Sequence, residues 1–140
     1  MLLASNLAGM AFNAAGLGLS HSMAHALGGR FHIPHGRLNA MLLPHVIRFN
    51  AARRETAERY AALAKACGLT PTARGLAFAI ERLRGRLEQP GRLSECGVDA
   101  KQVRACGDEI AAAALADLCA PSNPRSVTPQ DIKAILRELA

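Results

Sequence analysis

The chain has 140 residues, of which 50% are apolar and 20% are charged. This length fits one domain with a core of its own, and the composition excludes an intrinsically disordered polyelectrolyte. A large two-domain enzyme within this one chain is excluded as well. The 17 Lys and Arg residues outnumber the 11 Asp and Glu residues, for a formal net charge of +6, yet no charged side chain precedes Arg30. The uncharged N-terminus therefore needs an explanation.

Three interpretations of this N-terminus compete. A secretory signal needs a basic segment ahead of its apolar run, and residues 1–7 carry no basic side chain. A transmembrane helix needs about 20 mainly apolar residues, whereas residues 1–20 include several Ser, Asn and Gly residues. We therefore favour a helix that is apolar or small on every side because protein surrounds it, and we expect no membrane partner.

The positive charge does not indicate a nucleic-acid partner. Proteins that bind nucleic acids concentrate Lys and Arg on one face and often interleave aromatic side chains. The chain has few aromatic residues, and its densest basic stretch, residues 82–86, is flanked by Glu81 and Glu88, which is typical of a solvated helical face. The four cysteines show no CxxC spacing, so we expect reduced thiols in the cytoplasm, without disulfide bonds or a zinc knuckle.

Strand signals are nearly absent, and apolar residues recur at helical spacing. The sequence therefore predicts an all-α bundle of about seven helices in one domain, residues 1–140. In chain order we expect helices at about residues 2–14, 17–27, 36–49, 52–67, 71–89, 99–119 and from 129 onward.

Local signals predict where these helices begin, bend and end. Gly28-Gly29 should stop the second helix, and Pro44 should bend the third because it lacks a backbone N–H. Thr70 and Thr128 are the expected N-caps of the fifth and last helices, since each is followed by a proline. The side chains expected to face the core include Leu63, Leu83, Leu87, Val103, Ile110, Leu115 and Leu118.

Four of the five histidines fall within residues 21–35. His21 and His25 are four residues apart on one helix, so both imidazoles project from the same face. His35 follows a loop that can fold back over that face. Imidazole is the commonest metal donor at neutral pH, so this arrangement suits half of a divalent-metal site. The alternative is that the histidines only cap and hydrogen-bond backbone groups, and the spacing does not separate the two interpretations.

Part of the sequence is specific enough to indicate a family. The run AGMAFNAAGLGLSHSMAHALG at residues 8–28, followed by Pro34-His-Gly36 and Leu43-Pro-His45, resembles the iron-containing alcohol dehydrogenase family. Residues 123–131 are similar to the C-terminus of that family, so the resemblance covers nearly the whole chain. Within the family, residues 30–35 look most like the branch that reduces propanal and acetaldehyde in bacterial microcompartments.

The resemblance implies a reaction and a set of site residues. The family binds Fe(II), in some members Zn(II), through one Asp and three His, and transfers hydride to or from NAD(H) or NADP(H). His21 and His35 match the last two histidine ligands, and His25 matches a histidine beside the nicotinamide and the substrate, with a role in positioning or proton relay. The matches to positions that line the substrate pocket or its mouth are Phe12, Leu17 and Cys119.

The sequence also departs from the family's pattern. No Gly-rich turn follows a strand, so the α/β domain that holds the dinucleotide is not recognised. The Asp ligand and the first His ligand of the family lie upstream of the matching run. We therefore expect the chain to hold two of four ligands and to be inactive alone. Its expected partners are a small alcohol or aldehyde and either the missing N-terminal α/β domain or a second copy of the chain in a homo-oligomer.

A hypothesis of another class is also open. The chain would then be a non-catalytic metal-binding or assembly module, whose metal site a second copy completes across a symmetric interface. An apolar first helix that is left uncovered favours such pairing. Under either hypothesis we expect a cytoplasmic protein, and the branch within the family adds association with a bacterial microcompartment.

Overall fold

A computed structural model describes all 140 residues, and it consists of helices and loops without a β-strand. The α-helices are α1 (Leu2–Ala15), α2 (Gly18–Phe31), α3 (His35–Asn50), α4 (Arg54–Ala66), α5 (Ala73–Arg86), α6 (Ala100–Ala105), α7 (Gly107–Ala116) and α8 (Pro129–Leu139). Two short 3-10 helices span Leu93–Cys96 and Ala120–Ser122. The predicted all-α bundle is confirmed, with eight α-helices where about seven were expected.

The core lies around α2, which packs against α3 on one side and α7 on the other. Met23 and Leu27 of α2 are fully buried, as are Leu38 and Leu42 of α3. Helix α8 closes the core beside α7, because its buried side chains recur at helical spacing. These side chains are Ile132, Ile135, Leu136 and Leu139. The pair α4 and α5 packs on the outside of α3.

Helix α1 differs from the rest of the bundle because none of its residues is buried. Leu3, Leu7 and Met10 lie one helical turn apart along one face, and each exposes more than half of its surface. The predicted helix is present. No other part of this chain surrounds it, because α1 leads away from the core that α2 enters. The expectation that protein covers this helix stays a prediction.

Two glycines with positive φ form the bend between α1 and α2. Gly16 has φ +87° and Gly18 has φ +66°, values that side chains with a Cβ rarely adopt. The backbone N–H of Gly18 donates to Ser122 Oγ at 2.9 Å, which joins the bend to the Ala120–Ser122 turn. No single helix is long and apolar enough to span a membrane; α1 and α2 pass that test only as a pair, by length and composition, with a 102° bend between them.

The predicted stop of the second helix at Gly28-Gly29 is wrong, since α2 continues to Phe31. Gly28 lies inside the helix, and a Cβ at this position would make ordinary van der Waals contact, at 3.5 Å, with the Ile33 carbonyl oxygen and the Leu38 side chain. The helix ends instead at His32, whose N–H donates to the Gly28 carbonyl and whose left-handed backbone (φ 56°, ψ 29°) then turns the chain out of the helix.

Two other helix boundaries differ from prediction. Helix α5 is capped by Thr72 and not by Thr70: Thr72 Oγ1 accepts the Gly75 N–H at 2.9 Å, and Pro71 stays outside the helix. The predicted helix over 99–119 is divided at Cys106 into α6 and α7. Thr128 caps α8 with Pro129 at its first position, as predicted.

Some of the side chains predicted to face the core do so and others do not. Val103 and Ile110 are buried and Leu115 is half-buried, as expected. Leu118 is 96% exposed because α7 ends at Ala116, so the helical phase no longer points its side chain inward. The remaining exceptions lie on the outer side of α4 and α5, where no further element covers them: Leu63, Leu83 and Leu87.

Candidate functional site

The structure brings three of the four clustered histidines together. His21 and His25 lie one turn apart on α2, and His35 is the first residue of α3. The connecting loop is short, and its Ile33 is buried, which fixes the start of α3 beside α2. One ring nitrogen from each of the three histidines lies within 4.8 Å of the others. The fourth histidine, His32, is the C-cap residue of α2 and lies in the turn between α2 and α3.

The imidazole rings pack closely on one another. His35 Nε2 lies 3.1 Å from His21 Nδ1. The rings of His25 and His35 are stacked, with centroids 4.9 Å apart and an interplanar angle of 16°. The Phe12 ring of α1 lies 5.8 Å from that of His21, so α1 contributes an aromatic side chain to the same face.

Two polar side chains that sequence analysis did not single out support His35. Asn39, one turn along α3, places its Nδ2 2.9 Å from His35 Nε2. Ser20 donates from its hydroxyl to Asn39 Oδ1 at 3.0 Å, which fixes the amide. The spacing of His35 and Asn39 was a usable signal, because residues four apart share one face of a helix.

A third residue that the sequence did not assign to the site is Asp117, which directly follows the end of α7. Its Oδ2 lies 2.8 Å from His25 Nδ1, and its Oδ1 accepts the backbone N–H of Cys119 at 2.8 Å. His25 and Asp117 are 92 residues apart, so no local pattern links them. The one usable signal was the position of Asp117 two residues before Cys119.

The other residues predicted to line a substrate pocket lie around the start of α2. Leu17 is the N-cap residue of α2 and is half-buried. Cys119 lies with His25 and Asp117 in a second group whose ligand atoms are within 4.8 Å of one another. Its carbonyl accepts the Ser122 hydroxyl, and Ser122 in turn accepts the Gly18 N–H. This chain of hydrogen bonds ties the Cys119 segment to the bend before α2.

The local electrostatics favour a neutral imidazole at His21 and a neutral thiol at Cys119. Partial burial lowers the pKa of His21, and the neighbouring His35 and His25 lower it further, while Asp117 opposes them. Burial also raises the pKa of the Cys119 thiol, with a further contribution from its hydrogen bond to Asp117 and from the charge of that carboxylate. A raised thiol pKa makes Cys119 a poor nucleophile at neutral pH.

Asp117 is held in its charged form. Burial alone would raise the pKa of this carboxyl group. The hydrogen bonds that it accepts from the Cys119 backbone and from His25 outweigh burial, so its pKa lies below the usual range. At neutral pH the site therefore combines three imidazoles with one carboxylate.

The donor set suits a borderline divalent metal such as Fe(II) or Zn(II), which neutral imidazole binds well. Two nitrogens that share a metal at about 2.1 Å each lie roughly 3 Å apart. The measured separation of His21 Nδ1 and His35 Nε2, 3.1 Å, is close to that value. The chain's own histidines could therefore supply two ligands to such a metal.

The histidine cluster lies on an open face, and His25 exposes 43% of its side chain. Cavities of about 760 Å³ beside α4 and about 470 Å³ between α6 and α8 are lined by other residues. The cluster therefore lies on an open surface, and its histidines line neither of these cavities.

Comparison with known protein families gives a match over the whole chain. A family described as "Fe-containing alcohol dehydrogenase family, C-terminal" matches residues 1–140. Among curated proteins, the chain is 47% identical to the 1-propanol dehydrogenase PduQ of Salmonella typhimurium and 43% identical to that of Citrobacter freundii. Each alignment covers 97% of this chain and 39% of the relative, so the chain spans about two fifths of the length of these relatives.

Solved structures give the same result. A 1,3-propanediol oxidoreductase matches with a TM-score of 0.85 and 41% identity over 96% of this chain and 35% of that chain. An iron-containing alcohol dehydrogenase from Thermococcus thioreducens matches with a TM-score of 0.79 and 34% identity, over 88% of this chain and 32% of that chain. These similarities confirm the family that the sequence resembled, and 1-propanol dehydrogenases are among its relatives.

Proposed function

The chain belongs to the iron-containing alcohol dehydrogenase family, and from this premise we propose that residues 1–140 form the metal-binding C-terminal domain of an enzyme that interconverts a short-chain primary alcohol and its aldehyde with NAD(H) or NADP(H). The observation that carries the proposal is the convergence of His21, His25 and His35, whose ring nitrogens lie within 4.8 Å of one another. The names of the relatives favour a short-chain alcohol, since they include 1-propanol dehydrogenase and NADPH-dependent butanol dehydrogenase.

His21 and His35 are the proposed metal ligands. Their facing nitrogens are 3.1 Å apart, and the lowered pKa of His21 favours the neutral imidazole that a metal requires. Bound Fe(II), or Zn(II), would polarise the alcohol or aldehyde oxygen, and the nicotinamide would exchange the hydride. In the metal-free chain the Asn39 amide lies 2.9 Å from His35 Nε2, the same nitrogen that is proposed to bind the metal, so this contact would be released when the metal binds.

The remaining site residues act on the substrate side. Oxidation of a primary alcohol removes one hydride from carbon and one proton from oxygen. His25 is the proposed residue that positions the substrate or relays the hydroxyl proton. The proposed lining of the substrate pocket comprises Phe12, Leu17 and Cys119. Because its thiol pKa is raised, Cys119 contributes shape and a weak polar contact and not a nucleophile.

The rest of the active site is proposed to come from outside these 140 residues. The proposed contributor is an N-terminal α/β domain that holds the dinucleotide and adds the other two metal ligands. The apolar face of α1, which no part of this chain covers, and the open side of the histidine cluster support this proposal. The chain alone is then expected to be inactive, and the proposed location is the cytoplasm, in association with a bacterial microcompartment.

The exposed face of α1 also favours a second candidate function. In a non-catalytic metal-binding or assembly module, two copies would pair through α1, and the histidines of both would complete one metal site. The two candidates predict different stoichiometries: one metal per chain with unfilled coordination positions, or one metal per two chains.

Metal binding by the purified chain tests the proposal. Anaerobic titration with Fe(II), and separately with Zn(II), is expected to give saturable binding that His21→Ala and His35→Ala each weaken at least tenfold. His45→Ala is the matched control, because His45 pairs with Glu138 at 2.6 Å outside the cluster. Equal binding by all three variants would overturn the ligand assignment.

Activity measurements test the incompleteness of the chain. We expect no NAD(P)H-dependent reduction of propanal by the metal-loaded chain alone, since hydride transfer needs a bound dinucleotide. Steady turnover by the chain alone would contradict this part of the proposal.

A further inference from the structure

We propose that Asp117 is a positioning residue for His25: its carboxylate fixes the ring so that Nδ1 carries the proton and Nε2 is left free to accept one. This inference rests on the proposed function and deepens it, because it assigns a tautomer and an orientation to the histidine that faces the substrate.

The contact itself determines which nitrogen carries the proton. Asp117 Oδ2 lies 2.8 Å from His25 Nδ1, a normal hydrogen-bond distance. An ionised carboxylate can only accept hydrogen bonds, so Nδ1 must be the donor. In a neutral imidazole the other nitrogen is then a bare acceptor. Nε2 of His25 is therefore the nitrogen that can receive a proton from an alcohol hydroxyl.

The carboxylate is a fixed partner and not a mobile surface group. Its second oxygen, Oδ1, accepts the backbone N–H of Cys119 at 2.8 Å. The Asp117 side chain is 20% exposed, compared with 43% for His25. The residue also follows directly on α7, which packs against α2. The Asp117 carboxylate is therefore held more rigidly than the His25 ring that it orients.

The ring has no other polar contact that would select a tautomer. Its face stacks on His35 at 4.9 Å, which restricts the ring plane. Stacking does not distinguish the two nitrogens, because a ring turned over in the same plane stacks equally well. The hydrogen bond to Asp117 makes that distinction, as the partner of one ring nitrogen sets the state of the other.

An asparagine at this position separates positioning from structural support. Asn has nearly the size of Asp, but it offers one acceptor oxygen and one donor NH₂ group. If the side-chain oxygen of this asparagine keeps the hydrogen bond from the Cys119 backbone N–H, only the NH₂ group can face His25 Nδ1. Nδ1 then has to accept, and the proton moves to Nε2. Asp117→Asn is therefore expected to keep the local fold and invert the tautomer.

The test is ¹⁵N NMR of the metal-free chain with labelled histidine, at about pH 8, where ordinary histidines are neutral. The His25 resonances are assigned by their loss in His25→Gln. We expect the wild type to hold His25 as the Nδ1–H form by more than about tenfold, since a hydrogen bond to a charged acceptor contributes that much. In Asp117→Asn the ratio is expected to invert, with the Nε2–H form in excess.

A matched control is Asp131→Asn, which alters another aspartate that does not contact a histidine and should leave the His25 signals unchanged. Circular dichroism checks that Asp117→Asn stays folded.

If Asp117→Asn does not fold, the wild-type NMR spectrum still tests the inference, because a majority of the Nε2–H form of His25 in the wild type would overturn it. A folded Asp117→Asn with an unchanged ratio would overturn it as well. Neither measurement requires turnover or bound metal, so failure here is distinguishable from failure of metal binding by His21 and His35.

Discussion

The Nε2 atom of His35 lies 3.1 Å from the Nδ1 atom of His21, although the two residues are 14 positions apart and belong to different helices. The contact depends on the reversal between α2 and α3. That reversal takes only three residues, and it begins at His32, the residue with left-handed backbone that ends α2. The proposed metal site and the turn that forms it are therefore separable by mutation.

Substitutions at His32 should change the turn without removing a proposed ligand. The left-handed conformation costs a residue with a Cβ about 1–2 kcal/mol, and a β-branched side chain tolerates it least. His32→Val is expected to lower the free energy of unfolding and to weaken metal binding, because it displaces His35. His32→Gly is the control and should retain both properties. Thermal unfolding and metal titration of the two variants check the prediction, which equal behaviour of both would contradict.

The bend between α1 and α2 should be more sensitive to an added methyl group than the end of α2. A Cβ on Gly16 would lie 2.3 Å from the Ser122 Cβ, and Gly16 also has positive φ. Gly16→Ala is therefore expected to destabilise the fold and to move Phe12 relative to His21. Gly29 is helical and exposed, with nothing within 4 Å of an added Cβ. Gly29→Ala should raise the free energy of unfolding by about 0.5–1 kcal/mol.

Urea denaturation of the two glycine variants measures both effects on one scale. Both changes add the same methyl group. The decisive result is therefore whether the free energy of unfolding falls in Gly16→Ala and rises in Gly29→Ala. A Gly16→Ala variant as stable as Gly29→Ala would mean that the bend does not require glycine.

The cap of α8 should link stability to acidic pH. Thr128 Oγ1 accepts the Asp131 N–H at 3.2 Å, and Asp131 Oδ2 accepts the Thr128 N–H at 2.9 Å. The hydrogen bonds from the Thr128 hydroxyl and then its backbone N–H hold the pKa of Asp131 below its usual range. The folded-state pKa is thus lower than the unfolded one. The stabilisation is present above the unfolded-state pKa, and it is lost as the pH falls through the folded-state pKa.

Thr128→Ala should lower the free energy of unfolding by about 1 kcal/mol at neutral pH, as expected for loss of an N-cap. The deficit relative to wild type should shrink as the pH falls through the folded-state pKa of Asp131, because the carboxyl group is then protonated in both proteins. Gln130→Ala, an exposed neighbour, is the control and should stay within about 0.5 kcal/mol of wild type. A deficit that does not change with pH would show that the carboxylate takes no part in the cap.

The success of sequence analysis depended on how local each feature is. The pair His21 and His25 follows from a spacing of four, and the Thr128 cap follows from the next three residues, so both could be predicted. The hydrogen bond between His25 and Asp117 could not, because it joins α2 to the residue after α7. The Gly28-Gly29 pair indicated a helix stop, but α2 ends instead at His32, whose left-handed backbone no local pattern predicted. Tertiary contacts therefore decided most of the features that the sequence did not reveal.

The exposed apolar face of α1 should accept charged residues without loss of stability in the single chain. Leu7 and Met10 are 56% and 66% exposed, so replacing either with Glu removes no buried contact and should change the stability of the single chain by less than about 0.5 kcal/mol. Leu27 is fully buried, and Leu27→Ala should by contrast lower the free energy of unfolding by about 2–5 kcal/mol.

If copies of the chain pair through the apolar face of α1, Leu7→Glu and Met10→Glu should shift the sedimentation of a dimer to that of a monomer. A monomeric wild type, or a dimer that persists in both variants, would contradict pairing through α1. In that case the proposed α/β domain would be the partner that covers this face of α1. The affinity of that domain for the wild-type chain, compared with its affinity for Leu7→Glu, would measure how much the face contributes to binding.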